Sequence, residues 1–351
     1  MQVPSFNIVE KLNSVNFGYF RRMEIVVSGI RSTGCLHLGN YFGAVQNFLK
    51  MQEDPAYHCY FFIADYHSLT THPKPEDFKK NTRDVLIDYL GCGLDPEKAV
   101  VFAQSDVPEI PELYLILNML AYKGELERVA SFKDKVRKQE ENVNAGLLTY
   151  PVLMAADILI HRAHKVPVGK DQVQHLEMAR NFGNRFNHLY NAEVFPEPYP
   201  FNFTGAPITV PGLDGTGKMG KSDGNGIYLR DGADVIRKKV MKAVTDSGPT
   251  TPNSEMPDSI KNIFQLLTLV GDKATVDQYT EAYNNCTIRY GDLKKQLAED
   301  IVRFTAPIKA RIEDIIKDTD YQQKVLRMGA DKARASASAT LSEVRRVMGI
   351  Q

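Results

Sequence analysis

Two lysines three residues apart, Lys218 and Lys221, lie in the segment 215–222 (GTGKMGKS) and are well suited to bind a polyphosphate. The segment satisfies the P-loop pattern of GxxxxGK followed by Ser or Thr, which would indicate a phosphotransferase. A P-loop needs a strand directly before it and a helix starting at its lysine, whereas residues 223–226 (DGNG) break helices. We therefore favour a mobile loop whose lysines neutralise charge developing on leaving phosphates, over a P-loop or a solvated basic turn.

A turn with two glycines, Gly34 and Gly39, joins a predicted strand to a predicted helix within residues 28–40 (SGIRSTGCLHLGN). Free backbone N–H groups at such a turn bind phosphate well, although an ordinary strand-to-helix turn has the same composition. The side chain of His37 can donate to a nucleotide, and Gly39 leaves room for a stacked adenine. Capping of the helix is the simpler interpretation of His37.

Tyr150, Met154 and Asp157 follow one another at spacings of four and three residues, so a helix places them on one face. Pro151 suits the first turn of that helix. Tyr150 and Met154 at this spacing would ordinarily be core residues. Asp157 lies in an apolar run, where a carboxylate is costly to bury without a donor, so we expect either a ligand donor or an internal salt bridge.

Strands of a buried sheet are predicted by short apolar runs at 24–28, 59–64, 100–103 and 166–168. Helical periodicity separates them, at 41–51, 78–90 and 171–185. Strands that alternate with helices indicate an α/β fold with a doubly wound, Rossmann-like parallel sheet.

Beyond residue 231 the periodicity changes to amphipathic helices, predicted at 233–244, 259–269, 293–305 and 307–317. We predict three parts. Residues 1–22 form an N-terminal extension outside the fold, residues 23–230 form the Rossmann-like domain that ends in the lysine loop, and residues 231–351 form a helical domain.

The composition limits the function classes, because 43 basic residues balance 43 acidic ones and no general DNA-coating protein is indicated. The four cysteines have no metal-ligand spacing, so we expect no metal held by the protein. No run of 18 apolar residues occurs and residues 1–22 lack a secretory signal, so we expect a cytoplasmic protein that does not enter a membrane. A transit peptide is the weaker alternative for the first 22 residues.

The pair of segments 33–40 and 218–222 resembles the HIGH and KMSKS signatures of class I aminoacyl-tRNA synthetases. The strings 146–159 (GLLTYPVLMAADIL) and 166–176 (VPVGKDQVQHL) are similar to the bacterial tryptophanyl-tRNA synthetases, and the resemblance extends from residue 23 to the C-terminus. Two departures stand out. Gly220 replaces the serine of the second signature, which should loosen the loop, and Arg31-Ser32 stands where the family usually has Gln-Pro.

The resemblance implies ATP-dependent activation of L-tryptophan, transfer to tRNA(Trp) by a homodimer, and Mg²⁺ bound with the ATP phosphates. It implies catalytic roles for Lys218, Lys221, Lys135 and His37. It implies ATP contacts from Arg31, Gly34, Gly39, Asn40, Gly169, Asp171, Met219 and Ser222. It implies tryptophan contacts from Asp157, Tyr150, Met154, Gln172 and His67, with the indole N–H donating to Asp157.

Simpler interpretations and other functions stay open at this point. Asp171 at the start of a helix commonly serves only as its N-cap, and Lys135 lies in a basic stretch, 132–138, that could be a solvated face. The helical residues 231–351 are the expected anticodon-binding domain. The alternatives to a tryptophan enzyme are a tyrosine-specific relative, the P-loop phosphotransferase, and a non-catalytic relative that binds tryptophan or RNA.

Overall fold

The computed structural model describes residues 23–138, 143–169, 172–201, 208–215, 217–221 and 224–350. Within these residues, five parallel strands form one sheet in the order β3-β2-β1-β4-β5. The strands are β1 (Glu24–Arg31), β2 (Tyr57–Ala64), β3 (Ala99–Ala103), β4 (Lys165–Val166) and β5 (Tyr199–Pro200). The strand order reverses at β1, and open α/β sheets bind ligands beyond the carboxyl ends of the strands at such a reversal. The predicted doubly wound parallel sheet is confirmed.

The described helices follow the strands in the expected alternation and then dominate the C-terminal third. They are α1 (Leu38–Asn40), which continues through a π-helical turn (Tyr41–Val45) into α2 (Gln46–Gln52), then α3 (Pro75–Cys92), α4 (Glu109–Leu120), α5 (Lys123–Glu127), α6 (Ala130–Lys138), α7 (Ala145–Leu159), α8 (Val173–Leu189), α9 (Ala233–Met241), α10 (Asp258–Val270), α11 (Lys273–Asn284), α12 (Tyr290–Lys317) and α13 (Thr319–Met348). No helix of the described residues is long and apolar enough to cross a membrane.

Helix α3 shows how local sequence sets these bounds. Pro75 occupies its first turn, where a missing N–H costs nothing, and Glu76 and Asp77 lie at the positive end of the helix dipole. The helix ends at Gly93, whose φ of 108° lies in the left-handed region that glycine adopts without strain. Asp84 and Asp88 therefore lie on a helix with firmly defined ends.

The sheet is covered on both faces, as the near-continuous apolar sequence of its strands requires. Neighbouring residues of β1 divide between two cores, with Val26 in one apolar cluster and Val27 in the other. The first cluster includes Phe48 of α2 stacked on Phe61 of β2, with ring centroids 4.3 Å apart. The second includes Phe102 of β3 and the apolar face of α13. This packing fixes the carboxyl ends of β1 and β2.

The C-terminal helices pack on the same two cores. A Cβ at Gly329 of α13 would lie 1.8 Å from the carbonyl oxygen of Val101, so glycine alone permits α13 to approach β3 this closely. Ala333 and Leu341 of α13 belong to the core that contains Phe102. The boundary at residue 231 stays a prediction.

Two prolines lie where the sequence analysis did not place them. Pro151 is inside α7, which begins at Ala145, so it is not a first-turn residue. Pro307 is inside α12, so the helices predicted at 293–305 and 307–317 are one helix. Buried Ile301 and Ile308 on either side of Pro307 belong to one core cluster, and this packing outweighs the lost backbone hydrogen bond. Helices α4, α5 and α11 have no counterpart in the prediction.

Candidate active site

The first signature leaves β1 through Gly34, which adopts a φ of 99°, and enters α1. His37 caps that helix, since its Nδ1 accepts the N–H of Asn40 at 3.3 Å and Asn40 Oδ1 accepts the N–H of His37 at 3.2 Å. The simpler interpretation of His37 as a cap is therefore correct for its contacts. Burial, with Lys221 and Lys218 nearby, lowers the pKa of His37 to about 4. The imidazole is neutral at neutral pH, as its acceptor role at Nδ1 requires.

The second signature lies directly against the first. A Cβ at Gly39 would meet the His37 ring at 2.8 Å and the Cβ of Met219 at 3.4 Å, so the absence of a side chain lets the two segments touch. The Lys221 Nζ donates to the carbonyl oxygen of Gly34 at 2.5 Å. Two segments far apart in sequence thus form one surface.

Backbone pairing fixes this arrangement. Leu38 donates its N–H to the Ile227 carbonyl at 2.9 Å, and Leu229 donates its N–H to the Leu36 carbonyl at 3.0 Å. The residues that follow the lysine loop are therefore extended beside the first signature. No helix begins within described residues 217–221 and 224–232, and the next helix, α9, starts at Ala233. The helix that a P-loop requires at its lysine is absent from these residues, as the sequence analysis expected.

Asn225 holds the lysine loop at Gly220, the position where this chain lacks the family's serine. Its Oδ1 accepts the N–H of Gly220 at 2.9 Å, and its Nδ2 donates to Asp214 at 3.1 Å and 3.2 Å. Asn225 is buried, and so is the neighbouring Met219. The Asn225 side chain thus opposes the expected loosening of the loop at Gly220. The sequence analysis counted Asn225 only among the residues that break a helix.

The two lysines differ in environment. Lys218 is exposed, whereas Lys221 is largely buried. Burial lowers the pKa of Lys221 to about 8, and Asp88, Cys35 and Asp84 act against this fall. Lys221 is therefore a partly desolvated cation, which interacts with an anion more strongly than an exposed ammonium does.

A second group of side chains surrounds Asp157 at the carboxyl ends of β2 and β3. Asp157 is 1% exposed. Its Oδ2 contacts His67 Nε2 at 2.8 Å, and its Oδ1 accepts from Gln104 Nε2 at 2.6 Å. Burial raises the pKa of Asp157, and the hydrogen bonds from His67 and Gln104 oppose that rise. The predicted internal pairing of Asp157 is present, with His67 as the partner.

A chain of polar contacts lies on the Tyr150 side of the same helix face. The Tyr150 hydroxyl contacts Ser131 Oγ at 2.5 Å and His175 Nε2 at 2.9 Å. His175 Nδ1 in turn contacts Gln172 Oε1 at 3.0 Å. Tyr150 and Gln172 are therefore linked through a buried histidine. Met154, half-buried, lies between Tyr150 and Asp157 on α7 and packs against the second core.

Comparison with known proteins places this geometry in a family. The family profile described as tRNA synthetases class I (W and Y) matches residues 21–306. A tryptophan–tRNA ligase of Porphyromonas gingivalis is 60% identical over 329 residues, which cover 94% of this chain and 100% of that protein. The chain belongs to the tryptophan–tRNA ligases of class I. The family resemblance found from the two signatures and from residues 146–159 and 166–176 is confirmed.

Solved structures of the tryptophan–tRNA ligase family agree in fold. The tryptophanyl-tRNA synthetase of Campylobacter jejuni, complexed with ADP and tryptophan, is 33% identical with a TM-score of 0.81 and covers 93% of this chain and 100% of that one. The enzyme of Mycoplasma pneumoniae is 32% identical with a TM-score of 0.79, covering 94% of this chain and 98% of that one. The similarity thus spans nearly the whole length of each protein.

The structure gives Arg31 neighbours that the sequence analysis did not expect. Its Nη2 donates to the His67 carbonyl at 3.0 Å and lies 3.4 Å from Thr70 Oγ1. Its Nε is buried and has no hydrogen-bond partner among the described residues. Burial lowers the pKa of this guanidinium, although Tyr150 opposes the fall. Arg31 therefore joins the end of β1 to the segment that carries His67.

Most of the remaining predicted residues lie in the two groups just described. Gly169 accepts the N–H of Gln172 at 3.0 Å just before α8. Asp171, Ser222 and the side chain of Lys135 lie outside what the structure describes, and the roles of all the predicted site residues stay predictions. The residues that sequence reasoning missed are Gln104, Ser131, His175 and Asn225. Gln104 directly follows β3, and its position at the carboxyl end of a strand, where open α/β sheets bind ligands, could have identified it.

Proposed function

We propose that this chain uses ATP to activate L-tryptophan as tryptophanyl-adenylate and then transfers the tryptophanyl group to tRNA(Trp). The observation that carries the proposal is the contact between the two signatures, with Lys221 Nζ on the Gly34 carbonyl and Gly39 against Met219. The curated relative of 60% identity is named a tryptophan–tRNA ligase, and the Campylobacter jejuni neighbour holds ADP and tryptophan. Both support the same activity.

Activation joins a carboxylate to a phosphate and needs no general base. An oxygen of the tryptophan carboxylate attacks the α-phosphorus of ATP, the bond to the bridging oxygen breaks, and pyrophosphate leaves with the electron pair. Lys218 and Lys221, with Lys135 of α6, stabilise the charge on the departing pyrophosphate. His37 is neutral and its Nδ1 accepts the N–H of Asn40, so its Nε2 carries the proton and donates to the nucleotide. A ribose hydroxyl of tRNA then displaces AMP from the adenylate.

Selection of tryptophan rests on Asp157. A carboxylate offers about four acceptor positions, and the described donors His67 and Gln104 use two of them. An indole N–H is a donor that fits a remaining lone pair. Phenylalanine lacks both this donor and the second ring of the indole, and a site that recognises such groups rejects an analogue without them by a factor of about 10⁴ to 10⁵, so phenylalanine is excluded without editing. In this proposal Tyr150 and Gln172 hold the substrate ammonium, and their link through His175 supports a shared role.

Magnesium belongs to this proposal through the nucleotide. Mg²⁺ favours phosphate oxygens together with few protein ligands, and it adds positive charge to the β- and γ-phosphates. The described signatures offer the phosphates the ammonium groups of Lys218 and Lys221, which complement an ion carried on the phosphates. Among the described residues, no three His, Cys, Asp or Glu side chains converge to hold a metal ion.

A homodimer and a cytoplasmic location are the remaining parts of the proposal. The side chains of Leu115 and Met119 on α4 are 57% and 74% exposed, and Tyr122 just beyond the helix is 63% exposed. Apolar side chains grouped on one surface favour contact with another protein surface, here a second copy of the chain. Sedimentation at micromolar concentration should give twice the monomer mass, and Met119→Glu should reduce it.

Exchange of labelled pyrophosphate into ATP tests the activity. We expect exchange with L-tryptophan alone among the twenty amino acids. Exchange with tyrosine would indicate a tyrosine-specific relative, transfer of phosphate to an acceptor without exchange would indicate a phosphotransferase, and tryptophan binding without exchange would indicate a sensor. Lys221→Ala is the matched inactive control, and charging of tRNA(Trp) with labelled tryptophan tests the second step.

A further inference from the structure

Helix α3 carries two carboxylates one turn apart, Asp84 and Asp88, that face away from solvent. Asp88 is fully buried. Both bind Arg230, whose Nε donates to Asp88 Oδ1 at 2.6 Å and whose Nη1 donates to Asp84 Oδ1 at 2.7 Å. The Arg230 Nη2 also donates to the Asp84 carbonyl at 2.8 Å. Three donors of one planar guanidinium are thus fixed on a single helix.

The second oxygen of Asp88 reaches the first signature. Asp88 Oδ2 accepts the N–H of Leu36 at 2.6 Å. Leu36 is the residue whose carbonyl accepts the N–H of Leu229, and Arg230 is the next residue along the chain. One buried carboxylate therefore binds both strands of the pairing that brings the signatures together.

We propose that Asp88 and Arg230 are positioning residues that hold the two signatures in register and so place Lys221 against Gly34. The inference rests on the proposed function, since it assigns these residues to the ATP site of that activity. The pairing they support lies two residues from Gly34, whose carbonyl accepts from Lys221. The buried charges of Asp88 and Asp84 also favour the ammonium form of Lys221. Neither carboxylate belongs to the signatures themselves.

A positioning role predicts that Asp88 acts on nucleotide binding through Lys221. The probe is the non-hydrolysable analogue adenosine 5′-(β,γ-imido)triphosphate, titrated by calorimetry into the wild type, Asp88→Asn, Lys221→Ala and the double variant. We expect Asp88→Asn to weaken analogue binding at least about five-fold and to cost less than about two-fold when Lys221 is already alanine. Tryptophan affinity without nucleotide should stay within about two-fold of the wild type in all four proteins.

A buried charge left alone can unfold the chain, so a second variant removes both charges. Asp88→Asn combined with Arg230→Gln keeps neutral hydrogen-bonding groups, while Asp84 keeps its contact with Lys80 at 2.8 Å. We expect this folded variant to weaken analogue binding to the same extent as Asp88→Asn. Arg230→Lys keeps the charge but lacks the planar guanidinium, so it should bind the analogue more tightly than the variant with both Asp88→Asn and Arg230→Gln and less tightly than the wild type.

Asp300→Asn is the matched control. Asp300 is equally buried and bonds Arg303 on the same helix, α12, away from both signatures. It should lower the melting temperature without changing analogue affinity. The positioning role would be overturned if Asp88→Asn weakened analogue binding by the same factor with and without Lys221. It would also be overturned if Asp300→Asn weakened analogue binding as much as Asp88→Asn does. Absence of tryptophan-dependent exchange in the wild type would instead refute the proposed function, and the nucleotide cycle would still decide the role of Asp88.

Discussion

We assign the indole N–H to Oδ2 of Asp157, and replacing Asp157 by asparagine removes that acceptor. The orientation of the new amide is set by Gln104. Gln104 Oε1 accepts the N–H of Tyr66 at 3.0 Å, so its Nε2 must face residue 157 and requires an acceptor there. In Asp157→Asn the amide oxygen therefore stays on Gln104, and an NH₂ group takes the place of Oδ2. This donor faces His67 and the indole N–H.

The size of the effect follows from the bond that is lost. A hydrogen bond to a charged group contributes about 1.5–3 kcal/mol, which corresponds to about 10- to 150-fold in kcat/KM for tryptophan. The assay is pyrophosphate exchange, run in parallel with tryptophan and with β-(3-benzothienyl)alanine, in which sulfur replaces the indole N–H. The wild type should discriminate between the two by that factor. Asp157→Asn should discriminate by less than about three-fold, since it offers no acceptor to the N–H.

The matched control for this prediction is Asp65→Asn. Asp65 is 1% exposed, like Asp157, but its oxygens accept from Ser105 Oγ at 2.5 Å and from the Tyr66 N–H at 2.9 Å. Asp65→Asn should lower the stability of the protein and keep the wild-type discrimination between tryptophan and β-(3-benzothienyl)alanine. If Asp157→Asn loses activity equally with both amino acids, the carboxylate does not contact the indole nitrogen and the reasoning is refuted.

The remaining predictions concern the ATP side of the site. Lys221→Ala should lower the exchange kcat about 150-fold, or about 3 kcal/mol, while tryptophan affinity measured by calorimetry stays unchanged; equal losses in both would contradict its role. Because the pKa of Lys221 is lowered to about 8, the wild-type kcat/KM for ATP should fall as pH rises through about 8, and Lys221→Arg should move this fall upward. Asn225→Ala should raise the KM for ATP about ten-fold by releasing the Gly220 N–H, whereas an unchanged KM would mean that the loop does not need this bond. Arg31→Gln should raise the KM for ATP about ten-fold and leave tryptophan binding intact; the reverse pattern would place Arg31 on the amino acid.

Features that depend on local sequence patterns could be predicted from the sequence. Gly39, His37 and Lys221 lie in compact signatures, and the helical spacing of Tyr150 and Asp157 placed both on one face of α7. The alternation of strands and helices likewise gave the doubly wound sheet. The helix face and the sheet were predicted correctly because each rests on a pattern within one helix or one strand, where sequence neighbours are also neighbours in space.

The supporting contacts were not predictable, because they join distant parts of the chain. Gln104 and Asp157 are 53 residues apart, and Arg230 and Asp88 are 142 residues apart. No spacing rule links such pairs, and only the folded sheet brings them together. The interior positions of Pro151 and Pro307 were missed for a related reason: packing outweighs the local preference of proline for helix starts.

The structural and functional interpretations of Asp157 and His37 are not true alternatives. A fully buried carboxylate without donors would be costly to keep in the fold before substrate arrives, and His67 with Gln104 removes that cost while leaving lone pairs for the indole. The cap between His37 and Asn40 holds the imidazole neutral and fixes its orientation beside Gly39. In both places an internal hydrogen bond orients the group to which we assign a ligand contact. A side chain with a satisfied internal partner should therefore not be excluded from a binding role when acceptor or donor capacity remains.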